Sequence, residues 1–225
     1  MAEMAIGHGS EFQLLRYLGH HRQYLNKTIM EQLDIKSGDI QWLDYPVDEI
    51  RDSMDGEFKG VECFQNNEHY QSILENWKRF WPQTGNSQNW DGIFTIGDKW
   101  FFVEAKAHLA EAHQKCKAGN ASRKIIRSAF SQTCGSDNIA DIWINSNCYQ
   151  LANRLAFIHF CEQQHINAEL VYILFYNGYR FNPRKNLKPE DKLWEKEIEK
   201  DFAILKLSDQ LKSKLNIVYI DCFKP

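Results

Sequence analysis

Apolar residues recur at helical spacing from Glu11 onward: Phe12, Leu14, Leu15, Leu18, Leu25, Ile29 and Leu33. That pattern predicts a helix over 11–34, with Ser10 as its N-cap. Residues 35–60 are rich in Asp and Gly and carry no clear period. A short strand is expected at 61–65 and a helix at 67–80, stopped by Pro82. The segment 90–106 reads as two strands about a Gly97-Asp98 turn. Helices follow at 120–133 and at 147–164, the second capped by Asn147. Residues 168–176 form a near-continuous apolar run, as in a strand buried on both faces. A basic loop at 177–189, a charged helix at about 190–201 and a last strand at 216–222 complete the order. Helices and strands alternate, so the predicted class is α/β, organised as one domain over 1–225.

The hairpin has a register that can be worked out in advance. With Gly97-Asp98 as the loop, Ile96 pairs with Lys99, Thr95 with Trp100, Ile93 with Phe102 and Asp91 with Glu104. Directly opposed residues share a face, and period-two alternation adds Lys106 to it. Phe101, Val103 and Ala105 go to the other face. Two opposed carboxylates repel unless a cation lies between them. Mg²⁺ favours such oxygen ligands, and a nearby ammonium can position water or steady a phosphoryl charge. The plainer alternative makes Asp91 a turn residue and Glu104 and Lys106 the decoration of a solvated strand. The apolar content of KWFFVEAKAH opposes that alternative.

Asp91 followed by Glu104-Ala105-Lys106 resembles the D…(D/E)xK signature of the restriction-endonuclease-like (PD-(D/E)xK) nuclease superfamily. The resemblance spans mainly 89–176; Trp90 stands where a proline often precedes the acid. It implies a central mixed β-sheet flanked by α-helices and metal-dependent hydrolysis of phosphodiester bonds, with DNA the first candidate. It implies that Asp91 and Glu104 bind Mg²⁺ (or Mn²⁺) with help from the Ala105 carbonyl, and that Lys106 is catalytic. Members often carry a helix Glu, for which Glu11 is the candidate and Glu75 the rival. They also place polar residues on the helix after the ExK strand. Here Tyr149, Gln150, Asn153 and Arg154 qualify, and Gln150, Asn153 and Arg154 share a helix face. Gln150 is assigned to catalysis, Asn153 and Arg154 to nucleic-acid contact. A solvated helix face is the alternative.

Charge and cysteine content narrow the rest. The formal net charge is −3, so no whole-molecule basic field draws in nucleic acid. Local clusters must do so: Lys115, Lys117, Arg123, Lys124 and Arg127, then Arg180, Arg184, Lys185 and Lys188. His108 extends the active face beyond Lys106, though a lone His more often ends a strand. Adjacent His20 and His21 point apart on a helix and do not suggest a metal pair. Trp77, Trp81, Trp90 and Trp100 read as core. The six cysteines show no CxxC or zinc-finger spacing and are expected to be reduced. No apolar run reaches membrane-spanning length and no signal-peptide pattern is seen. A cytoplasmic protein without a membrane partner is expected, with homodimerisation left open. A catalytically inactive nucleic-acid-binding or protein-interaction module on the same fold is the competing reading.

Overall fold

The computed structural model describes residues 9–44, 57–84, 88–178 and 186–224. Its sheet has five strands in the order β1-β4-β5-β6-β7. These are β1 (Gln41–Trp42), β4 (Gly92–Ile96), β5 (Lys99–Lys106), β6 (Ala168–Tyr176) and β7 (Leu215–Asp221); β2 (Phe58–Lys59) and β3 (Asn89–Trp90) form a separate antiparallel ribbon. β4 runs antiparallel to β1 and β5, whereas β6 runs parallel to β5 and β7. The sheet is therefore mixed.

Why the sheet is covered on both faces is written in β6. Leu170, Tyr172, Leu174 and Tyr176 enter one apolar cluster, while Val171, Ile173 and Phe175 enter the other. Each successive side chain reverses face, so both faces must be apolar. On one side pack α1 (Ser10–His20) and α2 (Arg22–Gln32), through Leu14, Tyr17, Leu18, Leu25 and Ile29. The other side carries the larger core, with α3 (Tyr70–Phe80), α5 (Asn120–Cys134), α6 (Asp137–Asn145), α7 (Tyr149–Gln163) and α8 (Leu193–Leu205). Two single-turn helices, α4 (Leu109–Ala112) and α9 (Asp209–Lys212), sit in connections. Trp77, Trp81 and Trp90 lie in the larger core, and Trp100 packs against it.

Several elements differ from the sequence reading. The first helix breaks at His21, whose φ of −133° leaves the helical region. Gly19, His20, His21 and Arg22 supply no core side chain, and α1 contacts β5 while α2 contacts β7. The chain turns there to cover more of the sheet, and Gly9, not Ser10, occupies the cap position. Residues 61–65 are not a strand: Gly60 turns at φ 48°, and Glu62–Phe64 form a 3₁₀ turn. That turn carries Val61 and Phe64, three apart, into the same core. The 147–164 helix starts at Tyr149, with Cys148 rather than Asn147 at its cap. α6 was not anticipated, although Ser136 caps it by accepting from Ile139 N and Ala140, Trp143 and Ile144 are buried. No helix among the described residues is long and apolar enough to cross a membrane. All six cysteines are free thiols.

Gly38 gives a direct check on how β1 is seated. It sits at φ 100°, and a Cβ there would lie 2.6 Å from Ile96 Cγ2 at the tip of β4. Gly38→Ala is expected to cost about 1–3 kcal/mol, through strain and overpacking together. Urea denaturation would measure it; an unchanged midpoint would show that the 35–42 segment does not hold this position.

Candidate active site

The hairpin folds in the expected register. Gly97 takes φ 60° in the turn, and Ile96 pairs with Lys99, Thr95 with Trp100 and Ile93 with Phe102. Asp91 stands one residue before β4, its N–H donating to the Val103 carbonyl at 3.2 Å. The ladder itself ends at Gly92 with Val103, so Asp91 lies just outside it, near enough to Glu104 for the two charges to interact. One Asp91 carboxylate oxygen accepts the Ala105 N–H at 2.7 Å. Ala105 itself packs into the opposite cluster with Val103, as alternation requires.

Glu104 is 1% exposed and is held from three sides. Lys106 Nζ donates to its Oε1. Gln150 Nε2 donates to the same oxygen at 2.7 Å, and Arg154 Nε donates to Oε2 at 2.7 Å. Gln150 and Arg154 lie four apart on α7, so one helix face delivers both. Arg154 is then fixed by Asn89, whose carbonyl accepts from Nη2 at 2.7 Å, and by the Trp90 ring 4.7 Å beneath its guanidinium. Trp90 is therefore a shelf for Arg154 as well as core, and Asn89 is a contributor the sequence reading did not single out. Its position two residues before Asp91 was the available signal.

The electrostatics divide the two acids. Burial pulls the Glu104 carboxyl upward, but Arg154 and Lys106 overcome that and hold it below its ordinary value. For Asp91 burial and the Glu104 charge win over Lys106, the Ala105 N–H and Arg154, pushing its pKa up to about 7. One acid is fixed as a carboxylate; its neighbour sits near neutrality, where a cation would decide its charge. Two further oxygens, Gln150 Oε1 and Asn153 Oδ1, are buried without a hydrogen-bond partner. Buried acceptors of that kind need a donor or a cation. The residues present thus fit a hard divalent ion, with one opposing feature: both Glu104 oxygens already have donors.

Other assigned residues are placed apart from this centre or in different roles. Arg154, expected to touch nucleic acid, is 6% exposed and spends its donors on Glu104 and Asn89. It holds the site rather than a phosphate backbone. Arg127 is tied to Asp141 at 2.6 Å and to Asp137 at 3.4 Å. Arg123 is tied to Asn145 Oδ1 at 2.6 Å. Both pairings fix α5 to α6; the two aspartates offset the Arg127 charge, whereas Arg123 keeps its charge but has a donor committed to Asn145. Lys124 remains exposed. Lys115 and Lys117 line a groove of about 1110 Å³ together with Ser122 and Tyr149, the residue before Gln150. Arg180, Arg184 and Lys185 lie outside the described residues.

Glu11 is on α1, across the sheet from α7. Partial burial and the charge of Glu57 raise its carboxyl, and Glu57 accepts a hydrogen bond from Asn89 Nδ2. Glu11 therefore feels Glu57, and neither Asp91 nor Glu104 is among the charges that shift it. The rival Glu75 is paired with Lys78 at 2.7 Å on the exposed face of α3, away from this arrangement. His108 closes the strand: Glu111 lies 3.2 Å from its Nε2 and caps the N–H of Ala107 at 2.7 Å. Compared with protein-family models, with characterised proteins and with solved structures, the chain has no match.

Proposed function

We propose that this chain is a Mg²⁺-dependent phosphodiesterase acting on nucleic acid, DNA first among the candidates, built on a restriction-endonuclease-like core. The observation that carries the proposal is the cluster itself: Asp91 accepting from the Ala105 N–H, next to a buried Glu104 that accepts from Lys106, Gln150 and Arg154. With Asp91 ionised, two acids and two bases (Lys106 and Arg154) sum to zero, so a bound Mg²⁺ leaves the site positive toward a phosphodiester.

Asp91 and Glu104 would hold that ion, with the Ala105 carbonyl assisting. When bound it supplies a polarised phosphoryl oxygen and a more acidic water. The chain's own residues do the rest. Arg154 and Trp90 keep Glu104 in place. Lys106, released in part from Glu104, orients the attacking water and meets charge developing on the phosphoryl group. Gln150 offers its free oxygen to that water. The substrate backbone would run along the groove of Lys115, Lys117 and Ser122, toward Lys124. Arg123, held by Asn145, is not assigned to the phosphate.

A second reading has one observation in its favour. Glu104 is already satisfied by Lys106, Gln150 and Arg154, as in a module that binds without catalysis. The two readings separate on Mg²⁺. Ligand linkage predicts about 2.7 kcal/mol of stabilisation at 100 times the dissociation constant. A Mg²⁺-dependent rise in Tm at pH 8, absent from Asp91→Asn, supports the nuclease; equal, flat responses from both proteins support the binding module.

A further inference from the structure

A second group of ligand-bearing side chains lies away from Asp91 and Glu104. His113, Glu197 and Asp201 each bring one donor atom within 4.8 Å of the others. His113 Nε2 is 2.7 Å from Glu197 Oε1 and 3.7 Å from Asp201 Oδ1. Cys148 joins them, its Sγ donating to Asp201 Oδ1 at 3.1 Å. Glu197 and Asp201 are four apart on α8 and share a face. His113 follows α4, and Cys148 caps α7. Gln114 and Cys148 form a β-bridge that fixes the last two segments together.

We propose that His113, Cys148, Glu197 and Asp201 form a binding site for a borderline divalent cation of the Zn²⁺ class. The donor set is one imidazole, one thiol and two carboxylates, the mixture such ions take, whereas Mg²⁺ prefers oxygen alone. Ordinary Zn²⁺ bond lengths put neighbouring ligand atoms about 3.3–3.6 Å apart in a tetrahedron. The 2.7 and 3.7 Å separations from His113 to Glu197 and Asp201 bracket that spacing, while Cys148 Sγ, 3.1 Å from Asp201 Oδ1, would have to turn toward the ion to join the other three.

Burial points the same way. Asp201 is 3% exposed and Cys148 is fully enclosed. His113 Nε2 is shielded from water and makes no hydrogen bond, although Glu197 Oε1 is so near. The oxygen lies outside the angle a ring N–H bond needs. An imidazole nitrogen held against two carboxylates without a bond between them is the arrangement a shared cation resolves. Binding would release the Cys148 thiol proton to solvent and leave a thiolate ligand. His113 also lines the 1110 Å³ groove, which gives the ion a way in.

The consequence is structural. The ion would pin α8 and the loop after α4 to the first turn of α7. Gln150 and Arg154, the residues that hold Glu104, project from that turn and the next. This site stands independently of the phosphodiesterase reading.

The test uses the whole chain, stripped with chelator and titrated with Co²⁺ as the probe. One equivalent is expected to give tetrahedral visible bands and an intense near-ultraviolet thiolate-to-cobalt band. Cys148→Ser should remove the near-ultraviolet band. His113→Ala and Glu197→Gln should weaken Co²⁺ binding by more than the roughly 10–100-fold that loss of a supporting group costs. Asp91→Asn should leave the spectrum unchanged. Glu197→Gln preserves volume, and circular dichroism of each variant checks that it folds. Lack of a thiolate band in the folded wild type would overturn the proposal, as would a spectrum lost in Asp91→Asn but kept in His113→Ala.

Discussion

Asp91→Asn is expected to make the protein more stable at pH 8 while removing the hydrolytic activity proposed for this site. The sign follows from the direction of the Asp91 shift. Its folded pKa, about 7, is raised from the ordinary 3.8 by burial and by Glu104. Between about pH 4 and 7 the folded chain therefore holds a proton that the unfolded chain has lost. Stability falls as pH rises through that window and then levels off. Three pH units correspond to about 4 kcal/mol at most. The Asp91 side chain is partly open to solvent, so an effect of about 1–3 kcal/mol is expected after screening. Asparagine keeps the shape and the oxygen that accepts from Ala105 N–H, but it cannot ionise. Urea denaturation of both proteins at pH 5 and pH 8 measures the difference. A wild-type loss across that range with little change in the variant is the expected result. Equal losses in both would show that Asp91 is not the group responsible. A residue whose removal stabilises the fold while ending function marks a site kept for chemistry.

Arg154→Ala should be the most damaging single change at the site, costing about 3–5 kcal/mol. Glu104 would remain buried and ionised with one of its two cations gone. The guanidinium also leaves behind the Asn89 carbonyl and the face of Trp90. The penalty arises mainly from an uncompensated charge, which gives a second arm. Combining Glu104→Gln with Arg154→Met removes both charges and should recover much of the loss, because a buried pair adds little over a well-packed neutral one. Comparable instability in the single and double variants would instead point to lost packing against Trp90.

The parts of this arrangement that were readable from sequence are those with a strict local period. The Gly97-Asp98 turn determines which residues of β4 and β5 face each other, from Ile96 with Lys99 to Gly92 with Val103, and so brings Asp91 near Glu104 without pairing the two in the ladder. β6 announced itself by apolar residues at both parities. Gln150 and Arg154 were readable as one helix face, but not as partners of Glu104. Nothing local says which polar face of a helix turns inward, and that is why Arg154 was assigned to nucleic acid. Arg123 and Arg127 misled in a similar way: a basic run looks free until Asn145, Asp137 and Asp141 on the next helix are seen to engage it. α6 had its signal in Ser136-Asp137 and in the spacing of Ala140, Trp143 and Ile144, yet its shortness hid it. The break at His21 follows from how two helices divide the sheet, which is a tertiary matter. The cluster of His113, Cys148, Glu197 and Asp201 was invisible because its members come from three separate segments.

Hydrolysis itself remains the most direct test. Supercoiled plasmid and single-stranded DNA would be incubated with Mg²⁺ or Mn²⁺, with wild type beside a Lys106→Ala preparation purified in parallel. Metal-dependent cutting by the wild type, reduced about 10²–10⁴-fold in the variant, is the predicted result. Equal cutting by both would assign the activity elsewhere. No cutting by either, whatever the metal, would contradict the phosphodiesterase account and leave a binding module on this fold.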